Sequence, residues 1–594
     1  MTDYTDEQLK YLSADITENI FLEACPGSGK TEVVSCKVAR EISNWSKPAG
    51  GMAVLSFTNS ATEELKHRIN KYLPGMTSSF PHFIGTFDSF IYRYIVCPLS
   101  HLLTNFQGVD GDYSLRIVET TSNLEGFRTK YAIAGKGSIR AHHFDINNRD
   151  GSVTFCTGVP AIDSVLNSQQ LEEWQIKDCK NAKSRMLNAG FATHRDIEVL
   201  TLKALTENEF KNYASLLSKR FPVIIIDECQ DLSYEQLEIL ELFLKLNIKI
   251  HFVGDLHQAI YGFRDVKPED VKEFVDRNVF PTLKLTRNFR SCQKIINLCG
   301  KLTGRNDIIG FHSQLEPTCY VIEYKDCPTE VMHVFQSLAF EHKNCVIVAR
   351  GHSTLHKFQN TLVDVKSVRQ LALSIKSYTQ GDMEKIDQSL LLFSRFIRDH
   401  IEEGVKPNSY NCPLSIESNL RWRVFLNQTL LFLIENDLNN TSRSWTEWVK
   451  SSKQLLRSLS SQKFVSESIA EVIEPLNTLN ISAPSGESKN SVDSFLSDSK
   501  DIHYKYRKGT IHSVKGETHD VTMLVSTAKK SGDPGSHWKD WINMLGQESA
   551  RFAYVASSRP RYRLIWAVKQ LKKEEKDLLR GIGFTFISKA TETS

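Results

Sequence analysis

No two of the twelve cysteines stand at C-x-x-C spacing, and no Cys/His cluster has the spacing of a zinc site. That excludes a small metal-stapled fold, and the scattered thiols read as buried groups in a reducing cytosol. The nearest approach to a cluster, Cys292, Cys299, Cys319 and Cys327, has gaps too irregular for a usual iron–sulfur centre. Also absent is any apolar run near the ~20 residues that cross a bilayer, as is a secretory leader before Tyr4. A soluble, cytoplasmic chain with no membrane partner is expected. Charge of one sign is lacking too: 73 lysines and arginines against 70 aspartates and glutamates leave a formal net charge of +3. Any nucleic-acid track must therefore be a local groove and not a global field. The basic clusters Lys66-His67-Arg68, Lys301 with Arg305, and Arg559 to Arg563 each read first as solvated faces. No repeat of solenoid length occurs, and 594 residues exceed what one core organises, so several domains are expected.

What is present begins with Ala24-Cys25-Pro26-Gly27-Ser28-Gly29-Lys30-Thr31, after the apolar run Asn19 to Glu23. A strand, a glycine-rich curl and a helix starting at Gly-Lys-Thr form a phosphate cradle whose backbone N–H groups face inward. In such a cradle Lys30 reaches the β/γ-phosphates of ATP and the Thr31 hydroxyl holds Mg2+. Cys25 reads as a bystander thiol. A second block, Phe221 to Glu228, is a β-branched run ending in two carboxylates. It predicts a central parallel strand, buried on both faces, with Asp227 at its C-terminal edge as a magnesium ligand and Glu228 polarising the attacking water.

The run Asp227-Glu228-Cys229-Gln230-Asp231 resembles the D-E-x-Q-D signature of superfamily 1 helicases of the UvrD/Rep/PcrA type, and other blocks follow in the family's order. Gln8 resembles the upstream glutamine that reads adenine. Ser56-Phe57-Thr58-Asn59-Ser60-Ala61 and Gly85-Thr86-Phe87-Asp88-Ser89-Phe90 are similar to motifs Ia and Ib, which implies single-strand contacts by Phe57, Thr58, Asn59, Thr86 and Phe87. Val253 to Arg264 resembles motif III, with Gln258 sensing the γ-phosphate and Tyr261, Phe263 and Arg264 meeting the strand. Leu285 to Ser291 resembles motif IV, placing Phe289 on the adenine and Arg290 on the γ-phosphate. Thr510 to Gly516 resembles motif V, with His512 toward nucleic acid and Gly516 and Glu517 toward nucleotide. Arg551 to Arg559 resembles motif VI, with Arg559 in the arginine-finger place. Glu517-Thr518-His519-Asp520 departs from the family pattern, and either Glu517 or Thr518 meets the ribose. Ser558 and Pro560 are further departures.

The resemblance implies an α/β fold of two RecA-like P-loop cores, each with a largely helical inserted subdomain. The alternation of strands and helices sets the expected limits: 1–96 with 201–280 for the first core, 97–200 for its insertion, 281–358 with 506–594 for the second core, and 359–505 for its insertion. Apolar stripes at 390–397, 425–434 and 445–459 predict helices in the second insertion, and Ser482 to Ser499 reads as a mobile linker or exposed loop. The implied activity is ATP-dependent 3′→5′ movement on single-stranded or tailed duplex DNA, with Mg2+, in repair or anti-phage defence. The motif V departure, the compact length and the lack of a nuclease-type carboxylate–lysine cluster after Arg559 resemble the helicase-like subunits of Gabija-type systems, which implies a separate nuclease partner. A DNA-end-sensing ATPase that regulates such a nuclease and unwinds weakly is the alternative. An RNA-directed enzyme is disfavoured by Asn288-Phe289-Arg290-Ser291.

Overall fold

Short apolar runs, each bounded by a turn or helix signal, set up parallel strands. In the computed structural model they build two six-stranded sheets. The structure describes residues 4–46, 50–75, 78–147, 150–262, 266–311, 318–358, 367–406, 410–498, 506–528, 535–543 and 546–587. The first sheet comprises β1 (Ile20–Ala24), β2 (Met52–Ser56), β3 (Phe83–Thr86), β4 (Val223–Asp227), β5 (Lys249–Gly254) and β6 (Thr282–Leu285). Its order is β6-β1-β5-β4-β2-β3, and all neighbours are parallel. β4 lies between β5 and β2 and is buried along its whole length, as its unbroken apolar sequence requires. Helices α1 (Asp6–Ser13), α2 (Lys30–Ser43) and α3 (Asn59–Tyr72) flank this sheet's sequence.

The second sheet comprises β7 (Cys319–Tyr324), β8 (Cys345–Ala349), β9 (Arg507–Thr510), β10 (His519–Val525), β11 (Pro560–Lys569) and β12 (Thr585–Phe586), ordered β9-β8-β10-β11-β7-β12. β10 and β11 are parallel neighbours. The segments that enter them, Lys515 to Thr518 and Ser558-Arg559, therefore reach the same sheet edge although the sequence separates them.

Two compact units result: Met1–Asp326, Glu330–Gly351 and Gly509–Ser594 form one, and Cys327–Thr329 with His352–Lys508 form the other. The first carries both sheets, apart from the opening residues of β9. The second core was expected to begin at 281, yet β6 runs parallel to β1, with Phe21 opposite Thr282, and so satisfies the outer edge of β1. Residues from Val118 to Met186 have a small core of their own. It holds an antiparallel hairpin, Phe144–Ile146 with Val153–Phe155, beside helices Pro160–Asn167 and Glu173–Asn188, so this region is mixed and not largely helical. Leu99, Leu103, Ala192, Ile197 and Leu200 instead join the core of the first sheet.

In the second unit, helices Met383–Arg398, Asn419–Glu435 and Trp445–Arg457 bury Phe393, Phe425, Trp445 and Trp448 in one core. The Ser-rich stretch read as a linker contains the helix Val492–Asp498, and Val492 and Leu496 enter the same core. Two apolar residues four apart give a helix a buried face even in polar company. Ser499 lies outside the described residues. Among the described residues no helix is long and apolar enough to cross a membrane.

Candidate active site

The loop from Ala24 to Thr31 joins β1 to α2. Gly27 and Gly29 have φ of +67° and +76°, and a Cβ on Gly27 would stand 2.6 Å from Arg290 Cβ. Glycine there answers both a left-handed conformation and a close approach. The segment after β6 is stitched to the loop: Cys25 N–H donates to the Leu285 carbonyl at 2.9 Å and Phe289 N–H to the Gly27 carbonyl at 2.8 Å. The Asn288 amide donates to the Pro26 carbonyl. Gln8 holds the loop from α1, where its Nε2 donates to the Ser28 carbonyl at 3.1 Å and its Oε1 accepts from Thr5 N–H at 2.9 Å. Both ends of the amide expected to read adenine are thus engaged by the chain. Cys25 is buried, and burial pushes its thiol up, which suits an inert group. The Ser28 hydroxyl is buried without a partner, so the cradle retains an unmet polar group of the kind a phosphate oxygen satisfies.

Lys30 Nζ lies 2.5 Å from Glu228 Oε1 and 3.3 Å from Asp227 Oδ1. Burial disfavours the Lys30 charge, but the two carboxylates overcome it and raise its pKa. Burial raises Asp227, with Lys30 opposing. For Glu228 burial also acts upward, yet Lys30 and Lys515 draw it down to about 2. Glu228 has φ of +61°, an uncommon conformation for a residue with a side chain. Its N–H donates to Asp227 Oδ1 at 3.0 Å, and its carbonyl accepts from Asp231 N–H at 2.9 Å. A strained carboxylate is therefore pinned at the end of β4.

The facing groups come from Arg559 at the entry to β11, from Gln258 just after β5, and from Arg290 on a two-stranded pair of its own, Arg287–Cys292 with Ile309–Phe311. Arg559 is 1% exposed; its Nη2 donates to Gln258 Oε1 at 2.9 Å and its Nε to the Val555 carbonyl at 2.7 Å. Gln258 Nε2 donates to Asp255 Oδ2 at 2.9 Å. Arg290 Nε donates to Thr518 Oγ1 at 2.9 Å and its Nη1 to the Ser558 carbonyl at 3.2 Å. Burial, and for Arg290 the nearby Arg559 charge, lowers both guanidinium pKa values. Glu517 Oε2 accepts from His519 Nε2 at 3.0 Å. One cavity of about 830 Å³ is lined by the whole loop from Ala24 to Thr31, by Asp227, Glu228, Gln258, Arg290 and Arg559, and by Gly516, Glu517 and Thr518. Three cations and a ring of backbone donors converging on one space suit a polyanion such as a triphosphate. Thr31 and Asp227 share that lining and offer a hydroxyl and one carboxylate, the sparse protein set that Mg2+ takes when phosphate oxygens complete its shell.

The residues expected to meet nucleic acid are placed unevenly. Phe57 is half-buried and Thr58 and Asn59 are exposed. The Thr58 and Thr86 hydroxyls accept from Ala61 N–H at 3.1 Å and Ser89 N–H at 3.2 Å, so both cap helices. Phe87 is 1% exposed within the first sheet's core, where packing denies its ring to a strand. Tyr261 and His512 rings lie 5.5 Å apart, and Lys515 Nζ stands 5.0 Å from the Tyr261 centroid. His512 Nε2 donates to the Ile260 carbonyl at 2.9 Å. Phe263 and Arg264 lie outside the described residues. Sequence reasoning missed the buried ion pair of Lys515 Nζ with Asp231, at 2.6 and 2.8 Å. It also missed Asp255, which accepts from Gln258, from Arg305 Nη1 at 3.3 Å and from Tyr554 at 3.2 Å. Asp231, Asp255 and Lys515 sit inside or beside recognised blocks, but pairing across such separations leaves no local pattern.

The UvrD/REP helicase N-terminal domain family matches residues 4–278. DNA helicase II of Haemophilus influenzae is 27% identical over 312 residues, covering 51% of this chain and 40% of that protein. Gabija protein GajB of Bacillus cereus is 28% identical over 282 residues, covering 47% of this chain and 45% of that protein. ATP-dependent DNA helicase Rep of Buchnera aphidicola is 26% identical over 286 residues, covering 47% of this chain and 41% of that protein. The matches thus span less than half the length of each of these relatives. Residues 4–278, which contribute the phosphate loop, the β4 carboxylates and Gln258 to the cavity, match the UvrD/REP helicase N-terminal domain family.

Proposed function

We propose that this chain is an ATP-dependent DNA helicase or translocase that moves 3′→5′ on single-stranded DNA, with its two sheets acting as RecA-like cores around one nucleotide. The observation that carries this reading is the shared cavity, in which Lys30, Asp227 and Glu228 from the first sheet's loops stand with Arg559 and the segment before β10. Thr31 and Asp227 would hold Mg2+, which would neutralise phosphate charge in the cavity. Lys30, paired here with Glu228, exchanges that partner for phosphate when the triphosphate enters. Glu228 then loses one of the two lysines that draw its pKa down, keeps Lys515, and becomes a better acceptor for a proton of the attacking water. Arg290 and Arg559 stabilise charge developing on the transferred phosphoryl group, and Gln258 positions Arg559. Phe57, Tyr261 and His512 form the strand-facing surface, and residues 118–191 and 352–508 are the accessory regions of the two cores. The likeness to GajB supports a separate nuclease subunit as partner.

The test measures ATPase activity with and without single-stranded DNA or RNA, and strand displacement on 3′-tailed, 5′-tailed and blunt duplexes. DNA-stimulated hydrolysis with displacement of 3′-tailed duplex is expected. Hydrolysis without displacement on any substrate replaces the motor with an end-sensing ATPase, and preference for a 5′ tail reverses the direction.

A further inference from the structure

The cavity extends past Thr31 to a wall that the phosphate chemistry does not use: Glu32 from α2 and Glu63, Glu64, His67 and Arg68 from α3. Arg68 belongs to the basic cluster whose plainest reading was a solvated face. Instead its Nη1 lies 2.5 Å from Glu32 Oε2 and its Nε 2.6 Å from Glu64 Oε1. Glu32 is fixed in turn, since its Oε1 accepts from the Tyr72 hydroxyl, which lies 2.8 Å from the Tyr4 hydroxyl. The guanidinium is held on two edges, its charge is matched by carboxylates, and its side chain is still one-third exposed beside the cavity. Carboxylates at this end repel a triphosphate, whereas Lys30, Arg290 and Arg559 attract one at the other. The neutral end of a nucleotide, its sugar and base, is what the acidic end admits.

We propose that Arg68, clamped by Glu32 and Glu64, is a nucleotide-positioning residue whose guanidinium plane packs on the nucleobase. The proposal rests on the ATP-cleft reading above. It assigns base contact to α3, a helix that sequence reading linked only to a DNA strand. Glu32 acts through Arg68 by fixing its plane.

The test is equilibrium binding of ATP and of inorganic tripolyphosphate, each with Mg2+, to the full chain and its Arg68→Ala, Arg68→Lys and Lys30→Ala variants. Arg68→Ala and Arg68→Lys should each weaken ATP about tenfold, the scale of one partly desolvated cation–π or stacking contact. Tripolyphosphate affinity should stay within about twofold, because that probe has no base. Arg68→Lys keeps the charge that pairs with Glu32 and Glu64, so it folds even if the alanine variant does not. Unchanged ATP affinity in Arg68→Lys, or parallel loss of ATP and tripolyphosphate, overturns the proposal. Lys30→Ala should weaken both probes; if it weakens neither, the cleft reading fails independently of Arg68.

Discussion

Arg559 is the residue whose environment is most demanding. It is enclosed by Gln258, Val555 and Ser558, yet burial works against its charge. Such a group is kept where an anion arrives to match it, because an unmatched buried charge is costly. Arg559→Lys retains a cation but loses the planar fork that bonds Gln258 and Val555 together. Its turnover should fall about 10³-fold or more, while ATP affinity changes less than about tenfold. Steady-state and single-turnover kinetics separate the two, and equal loss in binding and turnover would place Arg559 outside the transition state. At this scale much was legible. Lys30, Asp227, Glu228 and the two arginines stood in recognisable blocks and line one cavity. Phe87 was misjudged because the turn around Thr86 reads alike whether the next ring faces solvent or core. Gln8 was only half-read, since its capping of α1 is a local signal and its bond to Ser28 is not.

Among the elements, β4 and β5 show how far composition specifies burial. β5 carries His251 at full burial, and desolvation, with Lys37 nearby, pulls its pKa from 6.5 down to about 3. The unfolded chain takes up this proton as pH falls through 6.5, whereas the folded chain resists until about 3. His251 therefore supports stability above pH 6.5 and withdraws that support on acidification, by on the order of 2 kcal/mol at pH 5. Denaturant unfolding at pH 7 and pH 5 should show a smaller acid loss in His251→Leu than in the parent; equal losses would remove His251 from the account. The helix Val492–Asp498 makes a sharper case. Its Ser, Asn and Gly neighbours hid it, because a two-residue apolar face is too short for periodicity to register. Leu496→Ala should destabilise the second unit by about 2–5 kcal/mol, read from its unfolding transition, and a loss below about 0.5 kcal/mol would restore the loop reading.

For the whole chain, the question is how one cavity communicates with a strand. Lys515 offers a direct route: it pairs with Asp231 below β4, stands over the Tyr261 ring, and adjoins Gly516 and Glu517 in the cavity wall. Lys515→Ala leaves Asp231 buried without its cation, at a cost of about 3–5 kcal/mol. Basal hydrolysis should outlast the stimulation of ATPase by single-stranded DNA in that variant; intact stimulation would rule out this route. None of this was visible as pattern, since the partners are brought together only by the return of the chain to the second sheet after the helical unit.

The central claim is that one nucleotide is held by both sheets at once. Hydrogen exchange of the full chain, with and without a non-hydrolysable ATP analogue and Mg2+, tests it most directly. Protection should appear together at 24–32 in the first sheet and at 513–518 and 555–559 in the second. Protection confined to 24–32 would contradict it.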